Sequence, residues 1–288
     1  MPNIALVIEY VGTAYHGYQV QAGNQAGVAT IQGTIEQALG RLTRESIRII
    51  GAGRTDSGVH ALGQVANFTT DSRIPPERFA PAANTMLPGD IRILRSFEVV
   101  EDFNARFDAI SKVYRYLVAP AEVAVGAAPG AQPGSAQLGG RALVLPEPML
   151  PDAVQAMAEA GRALVGRHDF AAYAAAGSSA RTSVRTVHRL EVGTQRWPAL
   201  ELNLLCIEIE ADGFLYKMVR TIVGALIEVG MGRQDIDWPR RLLEGRDRSA
   251  GPATAAPDGL YLVRVAYPQP YGALADPRMR TFQTGNAG

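Results

Sequence analysis

Lysine is nearly missing from this sequence. Its 28 Lys and Arg residues include only two lysines, Lys112 and Lys217, and 28 Asp and Glu residues bring the net charge to zero. That balance argues against a uniformly basic nucleic-acid binder, but leaves room for a local basic cleft. Nearly all the positive charge is arginine, whose planar fork suits phosphate and stacks on bases. A codon bias toward Arg and Ala would account for much of the same excess. There is one cysteine, Cys206, inside an apolar run, so no intrachain disulfide can form and a buried core thiol is expected. The four histidines at 16, 60, 168 and 188 are scattered, and no Cys/His zinc spacing exists, so no metal site is indicated. No apolar stretch reaches membrane-spanning length. The N-terminus reads as a first strand rather than a signal peptide, and the expectation is a soluble cytoplasmic protein.

What is present is ample apolar material. Of 288 residues, 47% are hydrophobic and 19% charged, which suits a globular chain of one large domain or two ordinary ones. The most informative stretch is Gly51-Ala52-Gly53-Arg54-Thr55-Asp56-Ser57-Gly58-Val59-His60. It lies between two apolar runs, Ile47–Ile50 and Gly63–Phe68, both of which read as strands. Glycines let backbone approach a ligand closely, and a loop mounted on strands is a rigid place for a reactive carboxylate. The plainer reading is a turn, since Asp before Ser-Gly caps nearby backbone N–H groups.

In chain order, the pattern predicts a strand over Ile4–Tyr10 and a helix capped by Thr30 running to about Arg44. A helix from Pro75-Pro76 to about Met86 and a strand from Ile91 to Val99 follow. With the strands around the Asp56 loop this is a split βαβ, ferredoxin-like order. The stretch from Glu9 to Gln21 interleaves tyrosines and amides. Such residues either line a base-stacking groove or simply pack a loop. Ser111–Leu117 alternates as a strand, and Ala119–Gly140 reads as a mobile, Ala/Gly/Pro-rich insertion. Further helices are predicted over Glu147–Val165, Phe214 to about Val229 and Ile236–Gly245. Strands are predicted over Val184–Val192, Glu201–Ala211 and Gly259–Val265. Val154, Met157, Ala158 and Val165 are expected to be the apolar face of the first of these helices, and His168 and Asp169 to cap its end and pack locally rather than take part in catalysis. Arg181, Arg185 and Arg189 form either a phosphate-facing row or a solvated strand face. The tail beyond Pro268 reads as loosely ordered.

Gly-Arg-Thr-Asp-Ser-Gly-Val-His at 53–60 closely resembles the active-site segment of tRNA pseudouridine synthases of the TruA family. The segments around Tyr114-Arg115-Tyr116, Met218-Val219-Arg220 and Gly259–Val265 resemble the same family in the same order, over most of residues 4–267. Two positions depart from the family pattern: Val11 stands where an acid is usual and Tyr18 where tryptophan is usual.

The resemblance implies an α+β fold of two ferredoxin-like, RRM-like domains with mainly antiparallel sheets and a central cleft. The corresponding boundaries are 1–108, carrying the Asp56 loop, and 109–288, carrying the insertion. It also implies cofactor-free isomerisation of uridine to pseudouridine at positions 38, 39 and 40 of tRNA, by a homodimer. Asp56 would be the catalytic carboxylate and Arg220 its partner. Tyr114 would stack on the uracil and help remove the C5 proton, and Arg54 would assist the flipped nucleotide. The reaction cuts N1–C1′, turns the base and joins C5 to C1′, so no oxidation state changes. Asp56 could act on C1′, on C6, or on the 2′ hydrogen. Two other readings are a glycosidase, which would usually want a second carboxylate, and a non-catalytic RNA chaperone.

Overall fold

The computed structural model describes residues 1–20, 29–121, 138–177 and 180–275. The chain forms two compact units. One is Met1–Lys112 with the described part of Tyr261–Met279, and the other is Val113–Leu260. Each is an α/β unit built on a mostly antiparallel sheet.

The first unit opens with β1 (Asn3–Tyr10), a nearly continuous apolar strand buried along its length. α1 (Ile31–Thr43) starts where Thr30 Oγ1 accepts the Gly33 N–H at 3.2 Å, and stops where Arg44 turns left-handed at φ 62°. Ile31, Ile35 and Leu39, spaced by four, form its buried stripe. The run Ile47–Ile50 is not the strand its composition predicts; only β2 (Ile50–Gly51) pairs in the sheet. The reason lies in α1: Glu36 accepts the Ile49 N–H and Gln32 donates to the Ile49 carbonyl, so helix side chains take the backbone groups a ladder would use. β3 (His60–Thr69), α2 (Phe79–Asn84) and β4 (Ile91–Val99) follow.

β5 (Ser111–Ala119) begins at the boundary and leads into the second unit, and β6 (Leu143–Val144) pairs with its end. The predicted insertion over 119–140 falls largely on 122–137, outside the described residues. α3 (Ala153–Arg162) starts six residues later than predicted, because Pro146, Pro148 and Pro151 hold the preceding chain out of helix. Its buried face is Ala153, Met157, Ala160 and Gly161, whereas Val154 and Val165 are exposed. His168 and Asp169 are not a helix cap but part of β7 (Gly166–Asp169), paired with β8 (Val184–Trp197). β9 (Leu202–Ala211), α4 (Met218–Gly230) and α5 (Trp238–Gly245) complete this unit, whose sheet runs β5-β9-β8-β7. Residues 214–217, predicted helical, precede α4 as a non-helical approach.

β10 (Leu260–Ala266) carries the chain into the first unit, where Tyr261 and Leu262 pair in parallel with His60 and Ala61 of β3. That sheet is ordered β4-β1-β3-β10. The chain beyond Pro268 is not loose from its start: β11 (Ala273–Ala275) pairs with β10, and the Tyr271 hydroxyl oxygen accepts the Val100 N–H at 2.9 Å. Residues 276–288 lie outside the described residues. No helix among the described residues is long and apolar enough to cross a membrane.

Candidate active site

Asp56 lies in the connection from β2 to β3, and the backbone of that connection is tied down along its length. The Ala52 N–H donates to the Val65 carbonyl at 2.7 Å, and Gln64 Nε2 to the Gly53 carbonyl at 2.8 Å. The Tyr18 N–H donates to the Thr55 carbonyl at 3.0 Å, and the Val59 N–H to the Asp56 carbonyl at 3.2 Å. Side chains add three more ties. The hydroxyls of Tyr10 and Thr55 lie 2.8 Å apart, Ser57 Oγ donates to the Tyr15 carbonyl at 3.0 Å, and His60 Nδ1 accepts the Gly12 N–H at 3.1 Å. That last bond leaves Nδ1 of His60 as an acceptor, so its ring proton sits on Nε2. The ring stacks on Tyr261 with centroids 4.6 Å apart.

The 12–18 segment is therefore a brace for the Asp56 loop. Gly12 fits only because it lacks a side chain, since a Cβ there would sit 2.0 Å from the Val59 carbonyl oxygen. Tyr10, Tyr15 and Tyr18 are all buried, so of the two readings of this stretch the packed loop holds, not the base-stacking groove. Burial pushes the Tyr10 hydroxyl up to about 12, keeping it protonated and able to donate. Within this frame Thr55 points inward and is buried, Arg54 is exposed and Asp56 half-buried.

Tyr114 and Arg220 belong to the second unit. Tyr114 stands on β5, with its ring edge-on to Phe214 at 5.0 Å. Tyr116, two residues on and on the same face, is fully buried and donates to the Ala256 carbonyl at 2.7 Å. Arg220 lies in the first turn of α4. Its Nε donates to the Ala255 carbonyl at 2.7 Å, while the Ala255 N–H donates to the Arg220 carbonyl at 3.1 Å. The segment Pro252–Ala255 presses against α4 at Gly224, where a Cβ would come within 2.4 Å of the Ala253 carbonyl oxygen.

On the other face of this sheet lies an ion network. Arg115 donates to Glu208 and Gln195, and Arg189 donates to Glu208 and Glu191 with Glu210 at 3.8 Å. Burial alone would push the Glu208 carboxyl up, but hydrogen bonds from Arg115 and Arg189 outweigh it and hold it below its ordinary value. Arg189 is thus surrounded by carboxylates, which does not suit a member of a phosphate-facing row. Among the described residues no group of three or more His, Cys, Asp or Glu side chains could hold a metal ion.

The sequence model of a family described as tRNA pseudouridine synthase matches residues 6–108 and 160–268. The chain belongs to the tRNA pseudouridine synthase family. Members are isomerases that convert uridine to pseudouridine in tRNA. The tRNA pseudouridine synthase A of Acetivibrio thermocellus is 45% identical over 267 residues, covering 93% of this chain and 100% of that protein. The proteins of the same name from Alcanivorax borkumensis and Haemophilus ducreyi are 39% and 37% identical. They cover 96% and 94% of this chain, and 96% and 95% of their own lengths.

In this pseudouridine synthase chain, sequence reasoning missed the residues that brace the loop: Tyr10, Gln64 and His60. Gln64 carried a usable signal, being with Asn67 one of two amides in the run Gly63–Phe68. Nothing in the spacing of Tyr10 pointed to Thr55, 45 residues away.

Proposed function

We propose that this chain isomerises uridine to pseudouridine at positions 38, 39 and 40 of the tRNA anticodon arm, with Asp56 as the catalytic carboxylate. Tyr114 holds the detached uracil, Arg220 is the cationic member of the set, and Arg54 helps the flipped nucleotide in. The protein acts in the cytoplasm as a homodimer, as the resemblance implies.

The observation that carries this reading is the Asp56 loop. Its backbone is fixed from Ala52 to Val59, while Arg54 stays exposed and Asp56 half-exposed between two glycines. A carboxylate on so rigid a mount suits a reaction in which charge develops at one sugar carbon. The chemistry balances without a co-reactant: N1–C1′ breaks, C5–C1′ forms, C5 loses a proton and N1 gains one.

The test is tritium release from tRNA transcribed with [5-³H]uridine, run with the wild type and Asp56→Ala, on native tRNA and on tRNA with cytidine at 38–40. Release by wild type from native tRNA alone supports the reaction, its sites and the role of Asp56. No release by a folded, tRNA-binding wild type would favour an RNA chaperone. Release that survives Asp56→Ala would remove that residue from the reaction, and release from the cytidine-substituted tRNA would move the target sites.

A further inference from the structure

We propose that Tyr10 is a positioning residue for Asp56, acting through the hydroxyl of Thr55; this rests on the reading of Asp56 given above. Tyr10 ends β1 where the register with β3 shifts between Ile8 and Tyr10, and it pairs with Ala61, one residue beyond the loop. Its ring is 3% exposed, and its hydroxyl lies 2.8 Å from Thr55 Oγ1 with Gln64 as a second polar neighbour. Thr55 is 7% exposed, and its carbonyl is already held by the Tyr18 N–H. The hydroxyl and the carbonyl of Thr55 are therefore both anchored in the interior.

The consequence falls on its neighbours. Arg54 is exposed, Thr55 buried and Asp56 half-buried, so the inward anchor of Thr55 sits between the two side chains on which the reading rests. Two buried hydroxyls that satisfy each other define the depth of Thr55 in the core, because neither has bulk water to replace the other. Without the bond, Thr55 is free to turn about χ1 and the Asp56 carboxylate shifts with its backbone. A displacement of about 1 Å at a reacting group can cost on the order of a hundredfold in rate.

The experiment is single-turnover and steady-state tritium release with Tyr10→Phe, Thr55→Val, Thr55→Ser and the Tyr10→Phe/Thr55→Val pair, beside Asp56→Ala. Expected for Tyr10→Phe is a fall in kcat of about ten- to a hundredfold, with KM for tRNA close to that of the wild type. Thr55→Val should match it, Thr55→Ser should keep most of the rate because it keeps the hydroxyl, and the pair should be no worse than either single change. A wild-type kcat for Tyr10→Phe, or a Thr55→Ser as poor as Thr55→Val, would overturn the proposal. If Tyr10→Phe does not fold, the Thr55 comparison decides alone. Full activity of Asp56→Ala would instead sink the reading of Asp56 on which the proposal rests, and would leave Tyr10 nothing to position.

Discussion

Arg115 donates from both Nε and Nη2 to one carboxylate oxygen of Glu208, at 3.1 and 2.7 Å, while the other oxygen accepts Arg189 Nη2 at 2.7 Å. The Arg115 and Glu208 side chains are 8% and 7% exposed. Removing one member of such a pair leaves the other charged and buried. Glu208→Gln is expected to destabilise the protein by about 3–5 kcal/mol, read as a lower urea midpoint with an unchanged slope.

The same pair sets a pH dependence. The folded state holds the Glu208 carboxyl below its ordinary value, so in the interval between the two values the unfolded chain binds more protons. The stabilisation is present above the unfolded value of about 4.3 and is lost as pH falls through the folded one. Urea midpoints of the wild type and Glu208→Gln should therefore converge on acidification from neutral pH; a constant gap would contradict this assignment.

Thr30 caps α1 through Gly33. Thr30→Ala should cost about 1 kcal/mol and Thr30→Ser much less, measured by thermal or urea unfolding.

At Gly224 a methyl group would sit 2.4 Å from the Ala253 carbonyl oxygen, on the segment that also holds Arg220 through Ala255. Gly224→Ala should force that segment off α4, with a loss of about 1–3 kcal/mol in stability. Tritium release should fall more than the loss of folded protein accounts for, because the Arg220 side chain loses its Ala255 anchor.

How far the sequence could be read depended on where each element found its partners. β1, α1 and β4 were legible because their periodicity and caps are local. Ile47–Ile50 misled because β-branched residues predict a strand, whereas Glu36 and Gln32 of α1 took the Ile49 backbone groups. The helix expected from Glu147 failed because an apolar period does not register the cumulative effect of three prolines. The tyrosines of the 9–21 stretch could be read two ways, since alternation says which residues share a face but not whether that face is covered.

By itself the sequence determined the Asp56 loop and the family. The order Gly-Arg-Thr-Asp-Ser-Gly-Val-His is a local property, with its glycines and polar groups fixed along one short stretch of chain. Only the tertiary structure decided that Tyr10 reaches Thr55 and that Arg115 reaches Glu208, 93 residues away. Those pairings depend on strand order and register, which bring distant residues within hydrogen-bond reach and leave no mark in the spacing of either partner.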